Sequence, residues 1–294
     1  MRRFVWYFFI IVFFVGCSEQ EIIQPEIVLE GWIEEEGHPF VMIHNEYTYQ
    51  EHYSSVAELI EDKTIFWGKV VVSDYDVSDV MTGKLDTSYL PPYYYYSVDI
   101  IGESGRTYKV TAEYEGQKVS ATTTIPNRVE FDSIRIEQLL AGDDVRLFGY
   151  FVDEYEEDNY YVLFFRKRGD KQYINCFLGV LSDKSADENG IIQVPIYNNF
   201  SVNSLANIGN SQPSRFFRNS DTIDIKLSAV DRVSYEIWKD FSALSTTSSL
   251  AFMPVYNNIS TNINGGKGYW CGYASSVYSL ILDRDTTFVY CNRK

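Results

Sequence analysis

The chain has 294 residues, 16% of them aromatic, with 25 Lys and Arg against 41 Asp and Glu and a formal net charge of −16. That acidity excludes a nucleic-acid partner, whose phosphates demand clustered Lys and Arg, and also a basic face pressed on anionic lipid. The aromatic content excludes a disordered chain, and the length accommodates two domains of ordinary size.

The chain opens with Met1-Arg2-Arg3, an apolar run from Phe4 to Val15, then Gly16-Cys17-Ser18-Glu19. A charged start, a short greasy segment and a small residue before a cysteine read as a bacterial lipoprotein export signal. The run is too short for a spanning helix, which needs about 20 residues. Phe14 stands where such signals usually carry Leu. The expectation is cleavage before Cys17, with a diacylglycerol on its thiol and an acylated amino terminus; three buried acyl chains give stable anchoring. Residues 1–16 are then the signal peptide and 17–25 a lipidated tether ending at Pro25. Ser18 rather than Asp follows the cysteine, so retention at the inner membrane is not signalled.

Extended segments follow at 27–33, 40–44, 64–75 and 93–101, with a helical turn or two at 55–60. Arg106–Tyr114 and Lys118–Ile125 alternate with period two around Glu115-Gly116, which predicts a tight hairpin. Pro126 closes this block, since it cannot donate to a ladder. Further strands are predicted at 131–137, 145–152, 160–168, 173–181, 222–230, 269–282 and 287–290. Val233, Ile237, Trp238 and Phe241 fall at helical spacing behind Asp231, a capping residue, so 231–244 is the one strong helix. The predicted fold is mainly β: an Ig-like β-sandwich over 26–126, then a second β-rich domain with one helix over 127–294.

Glu30-Gly31-Trp32-Ile33, the hairpin ending Thr124-Ile125-Pro126, Tyr235-Glu236-Ile237-Trp238, and Asn258 to Gly266 followed by Gly268-Tyr269-Trp270 carry a family likeness. With the lipid signal in front, the chain resembles the Bacteroidota lipoproteins catalogued under domain of unknown function 4249. The resemblance implies an outer-membrane lipoprotein accompanying TonB-dependent transporters, and it transfers no catalytic residue. Glu19 and Glu21 likewise resemble the acidic tag of lipoproteins that reach the cell surface in that group.

Catalytic patterns are weak. No G-x-S-x-G elbow is present. His38, His44 and His52 are spaced H-x5-H-x7-H, without the i,i+4 pair of a helical zinc site. Asp74, Asp76 and Asp79, and the run 153–158, read as solvated turns rather than calcium loops. Cys271 and Cys291 are the more plausible disulfide pair by proximity, set against three free thiols together with Cys176. No cofactor or metal is expected.

The ligand-binding candidates are aromatic and amide side chains. Tyr93 to Tyr96 places two rings on each face of a strand; Tyr93 and Tyr95 are the ones taken as candidates, with Asn262, Asn264 and Trp270 from the Asn/Gly segment, which reads as a fold-critical turn or a recognition loop. The function expected is a non-enzymatic binding or accessory subunit, held to the membrane by its lipid, with a TonB-dependent transporter as partner and a glycan or peptide as ligand. Two alternatives stand: a surface enzyme degrading glycan or peptide through paired carboxylates, and a structural surface protein.

Overall fold

Ile27, Leu29 and Ile33 are fully buried while Val28, Glu30, Trp32 and Glu34 between them are not. This alternation makes β1 (Ile27–Glu34) a strand with one face in a core. In the computed structural model, which describes residues 26–46, 52–139, 142–153, 158–198, 215–247 and 259–291, β1 lies in the middle of an eight-stranded sheet. Cys17, with the leader and the tether, lies outside the described residues.

The elements in chain order are β1, β2 (Phe40–Asn45), α1 (Val56–Lys63), β3 (Lys69–Ser73), β4 (Ser78–Val80), β5 (Thr82–Leu85), β6 (Tyr93–Tyr96), β7 (Thr107–Tyr114) and β8 (Gln117–Thr124). Then come β9 (Ser133–Gln138), β10 (Asp144–Val152), β11 (Tyr160–Lys167), β12 (Ile174–Ser182), β13 (Ile191–Ile196), β14 (Phe217–Arg218), β15 (Thr222–Val230), α2 (Arg232–Thr247), β16 (Lys267–Ile281) and β17 (Phe288–Tyr290). The architecture is mainly β, with the sheets packed as sandwiches. The large sheet runs β12-β11-β15-β16-β1-β2-β6-β5. A four-stranded sheet, β4-β3-β7-β8, and a five-stranded one, β13-β10-β9-β17, complete the strands, with β14 beside β10.

Both smaller sheets pack on the same face of the large one. Over β1 and the start of β16, Trp270 Nε1 donates to the carbonyl of Tyr108 in β7 at 3.1 Å, and the Gly272 amide donates to Thr123 Oγ1 in β8 at 2.8 Å. Over the far half of β16 and its neighbours, Phe131 packs on Tyr278 at 5.3 Å, Phe151 on Tyr161 at 5.0 Å and Phe165 on Phe217 at 5.2 Å. β1 pairs in parallel with β16, in register from Val28 opposite Lys267 to Glu34 opposite Tyr273. The large sheet therefore takes strands from both sides of residues 126 and 127, and the two β-rich segments read from the sequence share it. The segment between β8 and β9 is itself pinned to β16: Ser276 Oγ donates to the Val129 carbonyl and the Phe131 amide donates to the Tyr278 hydroxyl, both at 2.8 Å.

Local signals explain most elements. Glu115 and Gly116 sit at φ 49° and 81°, the left-handed pair that a two-residue hairpin with matched twist requires. Asp231 caps α2, its Oδ1 accepting the Ser234 amide at 2.7 Å. Ser55 caps α1 by accepting the Glu58 amide at 3.2 Å. Two predicted strands are shorter than expected. The 64–75 segment pairs regularly only as β3, because Thr64 terminates α1 through bonds to the Ile60 carbonyl. The 93–101 segment is strand only as β6; beyond it the Asp99 and Ile100 amides turn back to Ser97 Oγ.

Candidate functional site

Trp67 is 88% exposed, yet the backbone on either side of it is held. The Tyr95 hydroxyl donates to the Ile65 carbonyl and accepts the Gly68 amide, both at 2.9 Å. Phe66 meets Tyr93 edge-on at 5.2 Å. A Cβ at Gly68 would lie 2.3 Å from Ile43 Cδ1, so the Ile43 side chain would have to shift to admit one. Segment 65–68 is thus locked to the core and presents one large ring to solvent.

Beside that ring lies a cleft of about 580 Å³, lined by Trp67, Lys69, Glu113, Tyr114, Gln117 and Lys118 with the turn Glu115-Gly116. Lys69 is opposite Glu113, and Glu113 opposite Lys118, so a cation, an anion and a cation stand abreast on three strands. Lys118 Nζ donates to Glu113 Oε1 at 2.7 Å, and this bond holds the Glu113 carboxyl below its ordinary pKa. Chemically the cleft offers an apolar ring and a rim of long donors and acceptors on a rigid hairpin end, with two lysines balanced by Glu113 and Glu115.

The five residues singled out from the sequence are placed elsewhere. Tyr93 and Tyr95 turn inward: Tyr95 is 3% exposed with its hydroxyl fully engaged, and Tyr93 packs half-buried against the core beneath Trp67. The outward pair of the tetrad is Tyr94 and Tyr96. Asn262 bonds both main-chain groups of Trp270: Nδ2 donates to its carbonyl at 2.7 Å and Oδ1 accepts its amide at 2.9 Å. Asn264 exchanges both backbone bonds with Ser120 of β8, and Trp270 is fully buried. From residue 259 on, the Asn/Gly segment ties the start of β16 to β8 through these bonds. Gly268 sits at φ 103° with the Leu29 carbonyl oxygen 2.0 Å from where a Cβ would be, so only glycine lets the chain enter the sheet there.

The family profile described as Domain of unknown function (DUF4249) matches residues 18–279. The chain belongs to this family. Among curated proteins nothing matches. Among solved structures, domains A168-A170 from titin show a likeness at 7% identity and a TM-score of 0.20, too slight to bear on the fold. It covers 71% of this chain, and the chain spans 61% of that structure's length.

A second aromatic surface in this DUF4249 protein lies on the outward face of the large sheet. Trp32 and Phe40 stack at 4.3 Å, Phe40 and Tyr94 at 4.5 Å, and Tyr89 closes on Phe40 at 4.9 Å. Farther along, Lys226 Nζ bonds Glu34 Oε1 at 2.6 Å and stands over the rings of Phe164, Tyr173 and Tyr273. Loops from the two ends of the sheet meet over this face, where Gln172 Nε2 donates to the Ser88 carbonyl at 2.7 Å. Helix α2 covers the remainder: Trp238 packs on Phe164 at 5.0 Å and donates to the Tyr273 hydroxyl at 2.7 Å.

The titratable residues follow from their surroundings. Burial pushes the Glu30 carboxyl up and the His44 imidazole down. Glu30 and Glu34 are four residues apart on β1, about 13 Å of strand, a longer span than the roughly 5–9.5 Å between the carboxyls of glycosidases. Asp74 caps its own turn, with Oδ1 accepting the Asp76 and Val77 amides and Oδ2 taking Arg106 at 2.9 Å. Of the run 153–158, residues 154–157 lie outside the described residues. Among the described residues no three His, Cys, Asp or Glu gather as a metal site. Cys176, Cys271 and Cys291 are free thiols. Cys271 belongs to the outward cluster and Cys291 packs on the inner core, so the sheet stands between the proposed partners.

Trp67 and its charged neighbours were missed as a site in the sequence. The signal was there: Trp67 shares parity with Lys69, Val71 and Ser73, while Val70 and Val72 are the inward set.

Proposed function

We propose that the protein is a lipoprotein of the outer membrane, acylated at Cys17 and facing the cell surface, where it serves as a binding or accessory component of a TonB-dependent transport system. The observation that carries this reading is the leader that ends Val15-Gly16-Cys17 and passes at once into a polar, acidic tether. Membership of DUF4249 is compatible with it, since that family assigns no activity of its own. No helix among the described residues is long and apolar enough to cross a membrane. The role is non-enzymatic: the chain supplies a rigid β body whose exposed ring and charged rim suit recognition.

Co-purification tests it. The tagged chain, extracted from its native membranes in mild detergent, should bring down a β-barrel transporter in stoichiometric yield. Recovery of the chain alone would overturn the accessory role. Mass spectrometry of the same material separately tests acylation at Cys17.

A further inference from the structure

We propose that the cleft at Trp67 is a saccharide-binding site for an uncharged glycan chain. The inference rests on the reading of the protein as a binding component and names its ligand class.

Three observations carry it. The first is that Trp67 is a wide ring, 88% exposed, that does not fold back onto the protein. Exposing an indole loses the free energy its burial would bring, roughly 25 cal/mol per Å² of apolar surface. The ring stays out because the Tyr95 hydroxyl, Phe66 and Gly68 fix the backbone beneath it. With the backbone under the ring already held, binding has only the Trp67 side chain itself to order. It matches the apolar C–H face of a pyranose ring, whose hydroxyls then point outward to the rim.

The second is the rim itself. Lys69, Glu113, Gln117 and Lys118 give both donors and acceptors around one ring, as a polyhydroxylated ligand requires. Their formal charges, with Glu115, balance. An acidic or basic ligand would meet no excess of opposite charge; an uncharged one loses nothing.

The third limits the main alternative. A peptide added as a strand needs an open ladder edge. In the cleft β7 is paired on both sides, by β3 and β8, and on the edge strand β8 Ser120 already exchanges both backbone bonds with Asn264. Open to one side, at about 580 Å³, the space admits one or two sugar rings of a longer chain.

The test uses the full acylated chain in a detergent without a sugar headgroup. Maltohexaose, xylohexaose and laminarihexaose are titrated separately, followed by tryptophan emission and calorimetry. At least one should bind. Trp67→Ala should weaken it about tenfold or more, Trp67→Phe should restore part of the loss, and the thermal unfolding of both variants should stay at the wild-type midpoint. The proposal falls if none of the three binds, if Trp67→Ala binds as well as the wild type, or if only polygalacturonate or an extended hexapeptide binds in a Trp67-dependent way. The co-purification experiment is repeated with Trp67→Ala. A retained transporter with lost sugar binding supports a separate ligand site. Failed sugar binding with retained transporter removes the glycan proposal and leaves the accessory role standing.

Discussion

The hydroxyl of Tyr95 accepts the amide of Gly68 at 2.9 Å, and through that bond a residue sealed in the core sets where an exposed tryptophan stands. Replacing Tyr95 by Phe removes one oxygen and orphans two main-chain groups, the Ile65 carbonyl and the Gly68 amide. An unsatisfied buried group costs about 1–3 kcal/mol. The expected result for Tyr95→Phe is a loss of that order in urea unfolding, together with a changed Trp67 emission in the folded state. Burial holds the Tyr95 phenol up at about 12, above the unfolded value of about 10, so this contribution should be complete below about pH 10 and fall away between there and about pH 12.

Gly268→Ala should be far more damaging than its size suggests. The φ of 103° is strained for alanine, and the new methyl would meet the Leu29 carbonyl at 2.0 Å. The cost expected is about 4 kcal/mol or more, in the exceptional class for a single change. Gly142→Ala is the control: φ is 93° but nothing lies within 4 Å, so only the backbone strain of roughly 1–2 kcal/mol remains. Yield of folded protein and the circular-dichroism melting curve compare the two.

Glu30→Gln should stabilise the protein at neutral pH and do nothing in acid. Burial raises the folded-state pKa of Glu30 above its unfolded value. The folded state therefore carries a desolvated charge at pH 7 that the unfolded state solvates freely, and the penalty disappears as pH falls below the unfolded value of about 4.3. A gain in melting temperature at pH 7 that vanishes near pH 3.5 (a value of about one unit below that reference) is the expected signature. An equal gain at both pH values would remove burial of the charge as the cause.

Cys17→Ala should release the protein from the membrane fraction without altering its body, since Cys17 lies ahead of β1. Fractionation and the mass of the wild-type amino terminus check this together: the wild type should carry the acyl mass, and the variant should be soluble after export.

Much of the fold was legible because its physics is local. β7 and β8 alternate cleanly and are joined by the two residues, Glu115 and Gly116, that a twisted hairpin prefers. Asp231 and the apolar spacing behind it marked α2. The pairing of β1 with β16 was not legible, because nothing in either strand names a partner at the other end of the chain. β4 and β5 are too short and too polar to show a period. At the candidate sites, period two split Tyr93 and Tyr95 from Tyr94 and Tyr96 but could not say which pair faces inward. That depends on β2, where Val41 stands opposite Tyr95 on the buried side. Asn262 and Gly268 were noticed, but their work, holding Trp270 and yielding space to Leu29, is a matter of tertiary approach.

The side-by-side placement of β1 and β16 has a bearing on how the molecule comes into being. The first strand of the described residues borders one of the last, more than 220 residues on, so the broad sheet stays incomplete until β16 has been delivered. Distant pairing of this kind slows maturation and leaves apolar edges uncovered meanwhile. A chain with this layout leaves its half-made sheet uncovered until the closing strand arrives.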